Sequence, residues 1–259
     1  MKYDYHLHTE DSFDSKIKAE ELVQRAIELG YDEIAITEHL DLLPEELRTN
    51  GLMSLSKYHS RIRALQHIYP QLRILCGIEI GDYHRVKDYA AGLIEGLDFD
   101  IIIGSVHFLS DHTNVAMPLL NPLSEAQVKE YYEFNLELVS TCDIDVLGHL
   151  GVYKRYYKSI PDETMFLPLI REIFATMIKR GIALEINFGP LRRGYKYYHP
   201  EPEHLELYRA MGGNMFSIGS DAHRLADFDD YMHCIPELYR NLATDFAISK
   251  NSLKPIIYS

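Results

Sequence analysis

Residues 99–107 read Phe-Asp-Ile-Ile-Ile-Gly-Ser-Val-His, a short isoleucine run that closes on a polar turn and a histidine. Runs of this kind, rich in Ile, Val and Leu, recur at 2–7, 33–37, 73–80, 99–105, 144–148, 182–187 and 216–219. Each is followed by polar residues and then by a longer stretch with helical spacing, a rhythm that predicts parallel strands joined by crossover helices. Seven runs in 259 residues leave about 37 residues per unit, room for a strand, a helix and two loops. The count predicts an α/β barrel of about seven units, close to the roughly 250 residues typical of an eightfold barrel.

Helix signals fall between the runs. Residues 18–29 carry Leu22, Ala26 and Leu29 at helical spacing and stop at Gly30, and residues 168–179 stop before Gly181. From 124 to 140, Val128, Tyr131, Tyr132, Leu136 and Val139 form a core-facing stripe with Ser124 as its cap. No repeat, low-complexity tract or Pro/Gly/Ser-rich linker divides the chain, so 1–259 reads as a single domain.

Composition narrows the function classes. Lys and Arg number 26 against 39 Asp and Glu, and the net charge of −13 argues against nucleic acid or an anionic membrane as partner. With 46% hydrophobic and 25% charged residues the chain is globular rather than disordered. Its start, Met1 to His8, lacks a basic segment followed by an apolar one, and no run of about 18 apolar residues occurs; the expectation is a soluble, cytoplasmic protein. Cys76, Cys142 and Cys234 are odd in number and widely spaced, which fits reduced thiols better than a disulfide framework or a Cys-rich zinc site.

The 13 histidines are the unusual feature. In a parallel α/β barrel, reactive groups gather where strands end. The first run ends in His6-Leu7-His8 with Asp14 beyond it, the second in Thr37-Glu38-His39, the fourth in Ser105-Val106-His107, the fifth in Gly148-His149 and the seventh in Ser220-Asp221-Ala222-His223. The third run contains Glu79, and the sixth carries Glu185 and Asn187. A single His-x-His pair says little, since chance alone supplies roughly 0.65 in such a chain. Six histidines at strand ends with Asp14, Glu79 and Asp221 say more, because barrel closure brings them to one mouth. Neutral imidazole with carboxylate suits zinc, manganese or iron, and nine donors suffice for two or three ions.

These motifs resemble the polymerase and histidinol phosphatase (PHP) family, in particular its stand-alone histidinol-phosphate phosphatases. The resemblance runs from Tyr5-His6-Leu7-His8-Thr9 through Ile36-Thr37-Glu38-His39, Gly77-Ile78-Glu79, Gly104-Ser105-Val106-His107 and Gly148-His149 to Gly219-Ser220-Asp221-Ala222-His223. It implies a distorted seven-stranded (β/α) TIM-like barrel with a trinuclear metal centre. It further implies that His6, His8, Glu79 and Asp221 hold one ion, that Glu79 bridges to a second held by His107 and His149, and that Asp14, His39 and His223 hold a third. Asp11 competes with Asp14 for its place, and Glu38 stands where many relatives have Asp. The implied activity is hydrolysis of L-histidinol phosphate to L-histidinol and phosphate in histidine biosynthesis.

The chemistry agrees. Two ions about 3.5–4 Å apart lower the pKa of a shared water and neutralise phosphoryl oxygens during in-line displacement. A phosphoryl group also needs fixed donors, for which the planar arginine fork is suited. Arg155, Arg192 and Arg193 follow expected strand ends, and Arg155 and Arg192 match phosphate-contacting positions of the family. Glu79, Asp221 and His223 are the candidate catalytic groups; Asp221, His223 or a metal-bound water is the proton source for the leaving group. The tyrosines at 153, 156, 157, 195, 197 and 198 are expected either to line the pocket or to pack. His233-Cys234 with Arg240 imitates a cysteine-phosphatase loop, but the intervening residues have no Gly and lose a donor at Pro236. Asp143-Ile144-Asp145 opens a run instead of following one, and reads as a structural turn. Rival functions are a PHP-type protein-tyrosine phosphatase, a family exonuclease, for which no basic stripe is evident, and a metal-binding module without turnover.

Overall fold

The computed structural model describes residues 2–157, 159, 161–193 and 198–234. Seven parallel strands form one sheet in sequence order: β1 (Tyr3–Asp4), β2 (Glu33–Asp41), β3 (Arg73–Gly81), β4 (Ile101–Ser105), β5 (Val146–Leu147), β6 (Ala183–Asn187) and β7 (Phe216–Gly219). Each consecutive pair is parallel, so every connection crosses over the outside. Beyond the last rungs, Tyr5 N–H donates to the Ile218 carbonyl at 2.9 Å, Asp221 N–H donates to the His6 carbonyl at 2.9 Å, and Leu7 bridges Ala222. These links bring the first strand to the last and nearly close a TIM-like α/β barrel, as expected.

Helices α1 (Ala19–Glu28), α2 (Pro44–Asn50), α3 (Leu55–Ile68), α4 (Lys87–Ile94), α5 (Glu125–Thr141), α6 (Leu167–Arg180) and α7 (Pro202–Ala210) are the α-helices among the described residues. The three helices legible in the sequence are present within two residues of their expected ends. Ser124 caps α5 through a reciprocal pair: Gln127 N–H donates to its hydroxyl, and Gln127 Oε1 accepts from Ser124 N–H. Helix α6 stops because Gly181, at φ 69°, enters the left-handed region.

All seven expected runs contain a strand, but some lengths differ. The first and fifth runs contribute only Tyr3–Asp4 and Val146–Leu147 to the ladder, while β2 continues four residues past Thr37 to Asp41. Glu38-His39-Leu40-Asp41 looks like a turn by composition, yet it pairs in register with Ile78-Glu79-Ile80-Gly81. Backbone hydrogen bonds to β3 override the weak β-propensity of Glu and Asp there. The sheet and helices share one core in which Ile34, Ile36, Ile78, Ile103, Leu184 and Phe174 are fully buried. Cys76 and Cys142 are buried free thiols inside it. Among the described residues no helix is long and apolar enough to cross a membrane.

Candidate metal and phosphate site

The carboxyl ends of the strands converge on Glu79. Strand alternation points Gly77, Glu79 and Gly81 to one face of β3 and Thr37, His39 and Asp41 to the same face of β2, where His39 and Glu79 are register partners. Glu79 is wholly buried, and its two oxygens face different neighbours. Oε2 lies 3.2 Å from His6 Nε2, 3.7 Å from His8 Nε2 and 3.0 Å from His39 Nδ1. Oε1 lies 3.0 Å from His149 Nε2 and 3.4 Å from His107 Nε2, and it accepts from Ser105 Oγ at 2.6 Å. Asp221 Oδ1 closes the first group at 3.6 Å from His8 Nε2 and 4.0 Å from His6 Nε2. On the outer side, Asp14 Oδ2 is 3.1 Å from His223 Nε2 and 3.6 Å from His39 Nε2.

His6 Nε2, His8 Nε2, His39 Nδ1 and Glu79 Oε2 are buried and make no hydrogen bond, although they face one another. Buried polar atoms are almost always paired. Imidazole nitrogens converging on a carboxylate oxygen are satisfied by a shared divalent cation, and the donor types suit zinc, manganese or iron. Donor groups close enough to hold an ion include His6-His8-Asp221, His6-Glu79-His149, His8-His39-His223 and His39-Asp41-His107.

Outer partners set the orientation of these rings. His6 Nδ1 lies 2.6 Å from Glu185 Oε1, His107 Nδ1 3.0 Å from Asp41 Oδ1, and His223 Nδ1 3.0 Å from the Asp221 carbonyl. Each such contact leaves Nε2 aimed at the cluster, the usual way a ligating imidazole is held in one tautomer. The electrostatics follow the same geometry. Burial works against the charge on Glu79, but His6 and His39 hold it well below the usual carboxylate range. Asp221 is likewise held low against burial by Arg155 and His8. Burial, reinforced by His223 and His39, keeps His8 far below the ordinary imidazole value.

Beside the cluster opens a cavity of about 680 Å³, lined among others by Arg155, Arg192, Tyr156, Asp221 and His223. Arg155 follows the 3-10 turn Val152–Lys154, and its Nη2 pairs with Asp221 Oδ2 at 2.5 Å. Its Nε is buried with no hydrogen-bond partner, while the residue as a whole lines the cavity. Arg192 sits in the turn Gly189–Arg193 and donates to the carbonyls of Ser220 and Asp221, the latter at 2.8 Å. Two guanidinium groups thus line the cavity beside the histidine and carboxylate cluster, and the planar guanidinium fork is suited to pairing with anions.

The PHP domain family matches residues 4–188, most of the barrel. The chain belongs to the PHP family. A PHP relative named "Probable histidinol-phosphatase" from Clostridium acetobutylicum is 28% identical over 228 residues, covering 86% of this chain and 87% of that protein. The histidinol-phosphatase of Lactococcus lactis subsp. lactis is 28% identical over 233 residues, covering 86% of this chain and 84% of its own. A crystal structure of histidinol phosphate phosphatase from Lactococcus lactis, complexed with zinc, L-histidinol and phosphate, superposes with a TM-score of 0.77 at 26% identity. That match covers 95% of this chain and 94% of the crystallised one.

Within this PHP barrel the nine residues His6, His8, Asp14, His39, Glu79, His107, His149, Asp221 and His223 all meet at one mouth. Asp11, the competitor of Asp14, turns instead to Arg61, 3.2 Å away. The Glu38 carboxylate turns to the loop instead: it accepts Thr9 N–H at 3.0 Å and the Thr9 and Ser12 hydroxyls, pinning the loop that leads to Asp14. Arg193 ends its turn, but its side chain lies outside the described residues. Of the tyrosines, Tyr156 lines the cavity, Tyr153 and Tyr157 pack edge to face, Tyr198 packs on Phe188, and Tyr195 and Tyr197 lie outside the described residues. Residues 235–240 of the His233-Cys234 to Arg240 stretch also lie outside them. Asp145 serves as a structural acceptor for Ile102 N–H at 2.8 Å.

Sequence reasoning assigned no role to Asp41 or Glu185, nor to Ser12, whose hydroxyl lies 3.3 Å from His8 Nδ1. Asp41 was legible in principle, since His39-x-Asp41 places both on one face once the strand is known to continue. Glu185 was visible on its run, but its pairing with His6 spans 179 residues and depends on the barrel's cross-section.

Proposed function

We propose that this protein is a metal-dependent phosphomonoesterase that hydrolyses L-histidinol phosphate to L-histidinol and phosphate in histidine biosynthesis, a cytoplasmic role. The observation that carries the reading is Glu79, which presents one oxygen to His6, His8 and His39 and the other to His107 and His149, beside Arg155 and Arg192. The substrate rests on the similarity, over 86% of this chain, to a histidinol-phosphatase and a probable histidinol-phosphatase of two organisms, and on the similarity to the barrel crystallised with L-histidinol and phosphate.

In this reading His6, His8, Glu79 and Asp221 hold one ion, Glu79 with His107 and His149 a second, and Asp14, His39 and His223 a third. When bound, two or three ions of zinc, manganese or iron supply Lewis acidity toward the phosphoryl oxygens and lower the pKa of the attacking water. The chain's own contribution is placement. Arg155, anchored by Asp221, offers its remaining N–H donors to the phosphoryl oxygens, and Arg192, fixed by two backbone carbonyls, faces the same cavity. Asp221, held ionised against burial by Arg155 and His8, does not carry the proton for the departing alkoxide; of the candidate side chains, His223 at the cavity wall is the one left to move it.

The test is phosphate release from L-histidinol phosphate by metal-loaded protein, with a chelated sample and a phosphotyrosine peptide alongside. Rapid, chelator-sensitive release that favours histidinol phosphate is the expected result. Activity on the peptide alone would keep the metal chemistry and overturn the substrate. Stoichiometric metal binding without hydrolysis would leave a binding module.

A further inference from the structure

Lys154, the neighbour of Arg155, points away from the cavity and is buried, its side chain 2% exposed. Its Nζ lies 2.5 Å from Glu163 Oε2 and 2.8 Å from Glu201 Oε2. The other oxygen of Glu163 accepts the Tyr132 hydroxyl at 2.5 Å and the Tyr153 hydroxyl, and His204 Nδ1 stands 3.4 Å from Glu201 Oε2. Glu163, Glu201 and His204 have the spacing of a cation site, but the lysine ammonium already lies between the two carboxylates. Burial opposes the charge on Glu201, and Lys154, His204 and His199 nonetheless hold its carboxyl below the usual range.

Three separate parts of the chain meet at this ammonium: the turn after β5 that holds Lys154, the residue preceding the turn Thr164–Phe166 that leads into α6, and the N-cap of α7. The lysine lies so tightly under Gly151 that a Cβ there would stand 2.9 Å from Lys154 Cε, and the Gly151 N–H is itself tied to the Tyr131 hydroxyl at 2.8 Å. A buried ammonium with two carboxylates costs desolvation that its mutual attraction barely repays, so stability alone is a poor account of it. Its geometric effect is direct. Lys154 enters the buried network while the next residue, Arg155, lines the cavity, so the network fixes the peptide that carries the guanidinium.

We propose that Lys154, clamped by Glu163 and Glu201, is a positioning residue that sets the Arg155 guanidinium for the phosphoryl group. The proposal rests on the reading of Arg155 as a phosphate donor. A displacement of about 1 Å in such a group can cost on the order of 100-fold.

The test uses metal-loaded protein and inorganic phosphate as the probe, with binding followed by titration calorimetry and metal content measured in each sample. Lys154→Met and, as the shape-preserving variant, Glu201→Gln are compared with Arg155→Ala and with each double variant. The expected result is phosphate affinity weakened at least about tenfold in Lys154→Met with metal content unchanged, a smaller loss of the same kind in Glu201→Gln, and no further loss when either is added to Arg155→Ala. If Lys154→Met does not fold, Glu201→Gln with its double variant decides alone. Variants that melt earlier but bind phosphate normally, or whose losses add to that of Arg155→Ala, would overturn the positioning role while leaving Arg155 as a phosphate donor. Unchanged phosphate affinity in Arg155→Ala would overturn both.

Discussion

Glu185 stands behind the cluster, yet it holds two of its members: Oε1 lies 2.6 Å from His6 Nδ1, and Oε2 accepts His149 N–H at 2.5 Å. Loss of such an outer carboxylate typically costs 10–100-fold in metal affinity or activity. Glu185→Gln is therefore expected to fall by about that factor, seen as reduced bound metal by elemental analysis together with reduced kcat/KM; a fully loaded, fully active variant would refute the role. A second residue acts on stability alone. His84 is buried with neither ring nitrogen partnered, and burial, aided by Arg85, pushes its pKa down to about 4 from the ordinary 6.5. The unfolded chain then binds the extra proton first. Stability is untouched above pH 6.5 and declines as pH falls toward 4, by about 1.4 kcal/mol per unit and roughly 3 kcal/mol in all. In chelated protein, His84→Leu should flatten this part of the urea-midpoint profile between pH 7.5 and 4.5, and an unaltered slope would exclude His84 as its source.

At the scale of elements, β2 and β3 decide the site because their ends run on together. Asp41 pairs in register with Gly81, where a Cβ would run into Asp41 Oδ1 and stand 2.7 Å from His107 Nδ1. Glycine is needed there for close approach, and Gly81→Ala must push aside the carboxylate that orients His107. We expect about 10–100-fold lower activity and a stability loss of roughly 1–3 kcal/mol from overpacking. Gly92 in α4 is the control: a Cβ meets nothing within 4 Å. Gly92→Ala should stabilise the helix by about 0.5–1 kcal/mol, raise the melting midpoint by a few degrees and leave turnover alone. Calorimetry and rates on the pair separate backbone crowding at the site from glycine loss in general. The contrast also marks what was legible. The isoleucine-rich strand cores were plain from periodicity, whereas residues 38–41 carry turn-like composition and became strand only through their ladder to β3.

For the whole molecule, closure is what gathers the charges. His6 and His8 follow β1, Asp221 and His223 follow β7, and these ends meet through the Asp221 N–H to His6 carbonyl bond. Carboxylates of Asp14, Asp41, Glu79 and Asp221 thereby share one mouth in a chain of net charge −13. Divalent cations that bind only the folded state add stability by mass action, about 2.7 kcal/mol at one hundred times the dissociation constant. For a chain of this size that corresponds to roughly 5–10 °C per site. Chelation is expected to lower the melting midpoint by at least that amount and zinc readdition to restore it. A midpoint indifferent to chelator would mean that the cluster does not couple metal to folding.

Seven strand runs, three helix boundaries and the residue types His, Asp and Glu at strand ends were determined by the sequence itself, because periodicity, caps and side-chain chemistry are local properties. The motif order added the family. Only the tertiary structure decided that Asp14 and not Asp11 faces the histidines, that Glu38 pins a loop, and that Asp41 and Glu185 orient rings from strands far away in sequence. The same holds for Lys154 between Glu163 and Glu201. The physical reason is that these choices depend on distances of a few ångströms between side chains brought together by barrel closure, and no local pattern encodes which of two nearby carboxylates will turn inward.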